Sequence, residues 1–317
     1  VHSVTMGSRV ALGWQSPVKD KVHPFYVNLE DNNGLGWLYS FNGWMVRCGI
    51  EWSGHPGVDQ GRLISLHGKI NHIPASDVKV VITKTGAIQI CGKVQEVWFK
   101  GANFELWSEI LLEPNARTFT IRDTVTNHSP KDQEYTMLYH ANYGQPILEQ
   151  GSQLKGTFLY VQPFDEEAKK DIQRWQLYQA PGFVPPGGER LYCVTPNTDD
   201  EGRVHLLLHN KKADVGVSMV YPKKQLPYLS VWKNEDTVEN GYVTGIEPGT
   251  GFPPNRAVER KAGRLPILKA QESRTFELSY TLHGTTDQVA EIADCIDTIN
   301  RKNPSPVLIK RVLPKSS

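Results

Sequence analysis

Residues 118–126 read TFTIRDTVT, and this stretch decides the class of the fold. Phe119, Ile121 and Val125 point to one side of an extended chain, and the threonines between them point to the other. An apolar residue at every second position is the pattern of a strand that buries one face. The stretch therefore predicts a β-strand that covers a core.

The same pattern recurs outward along the chain. A second strand is predicted over 107–112, joined to the first by the turn sequence EPNA at 113–116. Further short segments rich in β-branched and apolar residues lie at 78–83, 87–91, 96–99, 204–208, 215–221 and 275–282. Many short strands separated by Gly, Pro, Asn and Asp favour an all-β fold, a large antiparallel β-sandwich. We expect residues 1–317 to form a single domain.

One long segment has the period of a helix instead. Over residues 287–300, apolar side chains recur at helical spacing, and Thr285 or Thr286 can cap the first turn. This predicts a C-terminal helix that packs on the sandwich by its apolar stripe. The charged stretch 165–171 is interpreted as a short surface helix or loop.

The amino-acid composition limits the kinds of partner that the protein is expected to bind. The net charge is +1, and acidic and basic residues are interspersed, which argues against nucleic acid and membrane surfaces. The apolar runs are shorter than the ~20 residues that cross a bilayer. Four scattered cysteines without metal-type spacing favour buried thiols in a cytoplasmic protein, although Val1 need not be the natural start.

Three separate segments carry candidate chemistry. Residues 242–256 read YVTGIEPGTGFPPNR and place Glu247 where an apolar strand meets a Gly- and Pro-rich loop. Residues 138–146 read LYHANYGQP, with His140 after an apolar run, and residues 65–71 read SLHGKIN, with His67 before a glycine. A carboxylate and imidazoles beside small residues are suited to general acid–base chemistry.

Taken in order, these segments resemble the galactose mutarotase (aldose 1-epimerase) superfamily, and in wording an uncharacterised bacterial branch of it. The similarity covers Leu66-His67-Gly68, then His140-Ala141-Asn142-Tyr143, then Glu247-Pro248, with Arg47 as the expected upstream arginine. The resemblance implies a galactose mutarotase-like supersandwich that interconverts sugar anomers. It assigns Glu247 as the base, His140 as the acid, and His67 and Arg47 as substrate-binding groups. Neither a cofactor nor a metal is needed for this chemistry.

Further substrate contacts are predicted near the same segments, at Asn71, Tyr143, Phe252 and Arg256. The tryptophans close to the motifs are interpreted mainly as core packing. An aspartate that classical mutarotases carry between the second His and the late Glu has no clear match. Lys233, Arg256 and Arg260 occur near the last segment instead and are expected to surround the pocket, which favours a negatively charged sugar derivative as substrate.

Alternatives to an anomerase remain open at this point. The same fold could bind carbohydrate without turnover, or act as an epimerase or isomerase at another sugar carbon. A cupin-like metal site built from His55, His67 and His72 is a weaker reading, because their spacing matches no tight metal motif. The expected partner is a monosaccharide or sugar derivative, and a homodimer is compatible with the composition.

Overall fold

The fold is built almost entirely from strands. The computed structural model describes residues 1–20, 22–184, 188–302 and 308–309. Its strands are, in chain order, β1 (Val4–Met6), β2 (Val10–Leu12), β3 (Met45–Ile50), β4 (Gly57–Asp59), β5 (Arg62–Ile64), β6 (Ser76–Ile82), β7 (Ile88–Val97), β8 (Asn103–Leu112), β9 (Thr118–Asn127), β10 (Gln133–Glu134), β11 (Thr136–Tyr143), β12 (Gln153–Gly156), β13 (Phe158–Pro163), β14 (Arg190–Pro196), β15 (Arg203–His209), β16 (Gly216–Pro222), β17 (Tyr228–Asn234), β18 (Val243–Gly249), β19 (Ile267–Leu268), β20 (Ser273–His283) and β21 (Leu308–Ile309).

Helices are short except for the last. They are α1 (Asp31–Gly34), α2 (Glu166–Lys170), α3 (Arg256–Lys261) and α4 (Thr286–Lys302), with 3₁₀ turns at Pro24–Tyr26, Gly36–Ser40, Ile70–His72 and Ile172–Arg174. The predicted C-terminal helix is present, and it packs Val289 and Ile296 against Leu207 of β15. None of the helices in the described part of the chain is long and apolar enough to cross a membrane.

Two large sheets form the body of the molecule. The seven-stranded sheet has the order β21-β13-β14-β17-β18-β11-β3, and the eight-stranded sheet has the order β12-β15-β16-β20-β9-β8-β7-β6. Neighbouring strands are antiparallel except for β13 with β21. The main core contains apolar side chains from both sheets, among them Ile121 of β9 and Met137 of β11. These features confirm the predicted all-β antiparallel sandwich with one C-terminal helix.

Some local predictions were wrong. The segments 87–91 and 96–99, predicted as two strands, contribute residues 88–91 and 96–97 to the single strand β7, because the residues between them continue the pairing with β8. Helix α3 was not predicted, although Asn255 caps it by accepting from the amide of Ala257 at 2.9 Å. Cys48 and Cys193 are buried thiols, whereas Cys91 is half-buried and Cys295 is exposed.

Strand alternation in β11 and β3 decides which residues face the core. Tyr139 and Arg47 are opposite each other in the register, and both point between the sheets. Arg47 donates to both carboxylate oxygens of Asp123 on β9 and, at 2.7 Å, to Ser108 Oγ. Burial opposes the charge of Arg47, but Asp123 more than offsets this, and the pKa of the guanidinium is raised. Arg47 is therefore part of a buried ion pair that joins the two sheets.

We expect Arg47→Met to lower the free energy of unfolding by roughly 3–5 kcal/mol, because it leaves the fully buried carboxylate of Asp123 without its counter-charge. Urea unfolding followed by circular dichroism measures this. The matched control is Arg122→Met, which removes an exposed ion pair with Glu277 on the same sheet and should change stability by less than ~1 kcal/mol. A small effect of Arg47→Met would mean that Asp123 does not depend on this partner.

Candidate active site

A cavity of about 380 Å³ lies on the face of the seven-stranded sheet that is turned away from the main core. Strands β11, β14, β17 and β18 contribute His140, Leu191, Trp232 and Glu247 to it. Loops and turns outside the sheet complete the lining with Leu35, Trp37, Leu38, Phe41, His55, Pro56, Leu66, His67, Glu189 and Pro253. The structure thus brings His67, His140 and Glu247 to one cavity.

His140 and Glu247 form a close pair at the base of this cavity. The register that opposes Ala141 to Ile246 places His140 and Glu247 beside each other on neighbouring strands. The distance from His140 Nε2 to Glu247 Oε1 is 3.2 Å, and the two side chains are only 6% and 3% exposed. The two groups are thus at ion-pair distance, while Oε1 has no hydrogen-bond partner of suitable geometry in the described part of the chain.

Burial acts on the protonation of both partners. It lowers the pKa of His140 to about 4. It also raises the pKa of Glu247 well above the ordinary 4.5, and the negative charge of Glu189 adds to this effect. Both pKa shifts have the same cause, because burial away from water disfavours the charged form of each group. Between the lowered pKa of His140 and the raised pKa of Glu247 the pair therefore holds one proton, and burial favours it on the carboxyl group.

Gly245 makes room for this pair. A Cβ atom at residue 245 would lie 2.3 Å from Glu247 Oε1 and 3.0 Å from His140 Cε1. Gly245 stands opposite Asn142 on β11 and Trp232 on β17, so the lack of a side chain there opens the sheet surface next to the acid–base groups.

His67 approaches the pair from a loop. Its backbone has the left-handed φ of 56° and is held by hydrogen bonds from its amide to the carbonyl of Gly54 and from the amide of Gly49 to its carbonyl. Its ring lies perpendicular to that of His140, with 5.4 Å between the ring centres. Burial lowers the pKa of His67 well below 6.5, and His140 and His55 add to the shift, so the ring is neutral at physiological pH.

Three aromatic side chains line the cavity next to these groups. Trp37 lies 4.8 Å from the His67 ring, Phe41 lies 5.2 Å from the His140 ring, and Trp232 lies 5.7 Å from it, measured between ring centres. Trp37 is almost fully buried in an apolar cluster, which confirms its interpretation as core packing, whereas Trp232 is half-buried. The alternation of side chains along β17 could have identified Trp232 as a lining residue, because it lies on the same face of the sheet as Glu247.

Glu189 and His55 also line the cavity, and sequence reasoning missed Glu189. Glu189 is exposed, and its Oε2 accepts a hydrogen bond from Trp232 Nε1 at 2.6 Å. The amide of His55 donates to the carbonyl of Pro253 at 2.7 Å. Burial lowers the pKa of His55, and the charges of Glu189 and Asp165 oppose this.

Other predicted substrate contacts do not line the cavity. Tyr143 has the same parity as Tyr139 and lies in the main core, 6.3 Å from the Trp44 ring. Phe252 packs on Tyr228 with 4.7 Å between ring centres. Asn71 belongs to the turn Ile70–His72, which lines grooves at the β3 side of the sheet. Arg47, described above, points between the sheets.

The cations that suggested a negatively charged substrate are also elsewhere. Arg256 and Arg260 pair with Asp59 and Glu134. Lys233 is fully buried on the core side of β17, donates to the carbonyl of Leu177 at 2.7 Å, and has its pKa lowered by burial to about 7. The expectation that these cations surround the pocket was wrong, because ion pairing and strand parity direct them away from it.

The described residues contain no group of three or more His, Cys, Asp or Glu side chains arranged to hold a metal ion. Of the three histidines considered for a cupin-like site, His55 and His67 line the cavity. His72 lies outside the lining and is 2.6 Å from Ser40 Oγ through its Nε2.

We expect Gly245→Ala to displace the Glu247 carboxyl group from His140 and to lower the free energy of unfolding by roughly 1–3 kcal/mol, because the new methyl group overlaps Oε1. A crystal structure and urea unfolding measure both effects. Gly92→Ala, in strand β7, is the matched control, since its Cβ would meet nothing nearer than 3.6 Å. An unshifted carboxyl group in Gly245→Ala would contradict the steric argument.

Comparison with known proteins shows which family the chain belongs to. Residues 3–282 match the family described as a domain of unknown function, DUF4432. The crystal structure of a "putative aldose 1-epimerase" from Klebsiella pneumoniae subsp. pneumoniae MGH 78578 is 38% identical, with a TM-score of 0.92 over 96% of this chain and 79% of that chain. A search of curated protein sequences finds no match.

More distant structures share the fold. A galactose mutarotase-like protein from Clostridium acetobutylicum is 12% identical, with a TM-score of 0.55 over 77% of this chain and 80% of that chain. A galactose mutarotase related enzyme from Lactobacillus acidophilus is 14% identical, with a TM-score of 0.54 over 77% and 84%. The expected resemblance is confirmed: this chain has the galactose mutarotase-like fold and belongs to the DUF4432 family.

Proposed function

We propose that this protein is an aldose 1-epimerase-like enzyme, which interconverts the two anomers of a sugar by opening and closing its ring. The observation that carries the proposal is the buried pair of His140 Nε2 and Glu247 Oε1, 3.2 Å apart in a cavity of monosaccharide size. A protein that only binds sugar has no need of a buried carboxyl group and a buried imidazole held this close together, with both pKa values shifted by burial.

Ring opening needs one proton removed and another supplied. The base takes the proton of the anomeric hydroxyl, whose oxygen becomes the aldehyde oxygen as the bond from the anomeric carbon to the ring oxygen breaks. The acid delivers a proton to the ring oxygen. After rotation about the next carbon–carbon bond, the same transfers run backwards and close the ring on the other face of the aldehyde.

The geometry bears on how the two groups would act. His140 and Glu247 lie side by side rather than on opposite sides of the anomeric carbon. Both reacting oxygens are bonded to the same carbon, so a donor and an acceptor side by side can reach them together. We assign Glu247 as the base and His140 as the acid of one bifunctional pair. Burial favours the single proton of the pair on Glu247, so the reacting form is the one in which that proton has moved to the His140 ring.

The remaining lining fits a sugar. His67, perpendicular to His140, is placed to hydrogen-bond a hydroxyl group or the ring oxygen and thereby to orient the substrate. The rings of Trp37, Phe41 and Trp232 offer surfaces for the apolar C–H faces of a sugar. The name of the Klebsiella structure is consistent with this proposal, and the two distant structures support the fold alone.

We expect Glu247→Gln to slow anomer exchange by roughly 10²–10⁴-fold while sugar binding is largely kept, because the amide preserves shape but takes up no proton. His140→Asn should slow exchange similarly and weaken binding more. Polarimetry or NMR exchange measures the rate over a panel of sugars, and calorimetry measures binding.

The matched control for these variants is Glu96→Gln, a buried carboxyl group outside the cavity that accepts from the amides of Ile50 and Glu51. Turnover should survive there. If Glu247→Gln exchanges anomers at the wild-type rate, Glu247 has no part in the reaction. If new sugars rather than anomers accumulate, the reaction is at another carbon.

The pH dependence of kcat/KM follows from the single proton that the pair of His140 and Glu247 holds between its two pKa values. We expect kcat/KM to fall at low pH, where His140 and Glu247 are both protonated, with the limb near the lowered pKa of His140, about 4. It should fall again at alkaline pH, as the pair loses its proton across the raised pKa of Glu247. Loss of activity already at pH 6–7, as for an ordinary imidazole of pKa ~6.5, would contradict the pair.

A further inference from the structure

The cavity contains an unusual set of charges. Among the described residues that line it, Glu189 and Glu247 are the only acidic side chains, and none is Lys or Arg. Its three histidines have pKa values lowered by burial and carry no charge at neutral pH. Any fixed charge that a ligand meets there is negative.

Glu189 is the exposed member of this set. It immediately precedes β14, lines the cavity and is exposed to solvent. It makes no ion pair with a Lys or Arg of the described residues. Its one hydrogen bond within this part of the chain comes from Trp232 Nε1, at 2.6 Å.

The influence of Glu189 reaches both sides of the cavity. Its charge adds to burial in raising the pKa of Glu247, and it opposes the effect of burial on His55. The negative charge of Glu189 would therefore also act on a charged ligand bound near these two groups. It also fixes the indole of Trp232, one of the flat surfaces of the cavity.

We propose that Glu189 determines the charge selectivity of this cavity, so that it accepts uncharged sugars and excludes sugars that carry a carboxylate, phosphate or sulfonate group. The proposal rests on the proposed sugar chemistry and replaces the anionic substrate considered from the sequence. A bound anion would lose part of its hydration without meeting a cation, and it would be repelled by Glu189. A neutral sugar avoids both costs, and its hydroxyl groups can donate to the carboxylate.

The test separates the charge of Glu189 from its contact with Trp232. Glu189→Gln keeps an oxygen that can accept from the indole and removes the charge, whereas Glu189→Ala removes both. Glu113→Gln, in the exposed turn between β8 and β9, changes the net charge of the protein equally and is the control. Each protein is assayed for anomer exchange and, by calorimetry, for binding of D-glucose, D-galactose, D-glucuronate, D-galacturonate and D-glucose 6-phosphate.

We expect wild type and Glu113→Gln to favour the neutral sugars by about tenfold or more, and Glu189→Gln to reduce this ratio about tenfold. Raising the salt concentration should narrow the wild-type preference, since it screens a charge near the surface. The alkaline limb of kcat/KM should move to lower pH in Glu189→Gln, because loss of the neighbouring charge lowers the pKa of Glu247. A merely structural role for Glu189 would not move that limb.

Three results would overturn the proposal. They are equal binding of acidic and neutral sugars by wild type, an unchanged preference in Glu189→Gln, and failure of every sugar to bind. Selective binding of neutral sugars without anomer exchange would refute the proposed reaction and leave the selectivity intact, so the two failures are distinguishable.

Discussion

Burial of a carboxyl group against an imidazole is the constraint on which the rest of the site depends. Glu247 and His140 lie within the sheet surface, where the charged form of each group is costly. Two neighbouring strands hold them, and hydrogen bonding of β18 to β11 and β17 fixes their separation. Gly245 supplies the space. The sheet thus keeps donor and acceptor at one distance, which a mobile loop could not do.

Much of the fold could be predicted from the sequence because strands repeat every two residues. The alternation over 118–126 gives β9, and the helical spacing over 287–300 gives α4 almost to its ends. The same period could have been applied to the site. Tyr143 shares the parity of the core residue Tyr139, and Arg47 pairs with Tyr139, so neither could share a face with His140.

The rest depended on contacts between distant parts of the chain. Trp37, Glu189 and Pro253 come together only because separate loops converge over the same sheet. Nothing local distinguishes Glu189 from other exposed carboxylates, or Arg256 from a substrate-binding arginine. Arg256 turns out to be held by Asp59 and Glu134, whose positions are set by other elements. Long-range ion pairs of this kind leave no periodic trace in a sequence.

The division of labour between sheet and loops has a consequence for divergence. The groups that handle protons belong to strands, whereas the walls facing Glu247 come from the turn Gly36–Ser40, from His55 and Pro56, and from the residue before β14. Loops accept substitutions and length changes more readily than the strands beneath them. Descendants of one ancestral chain could therefore exchange one sugar for another by altering the walls alone, while the inherited chemistry stayed in place.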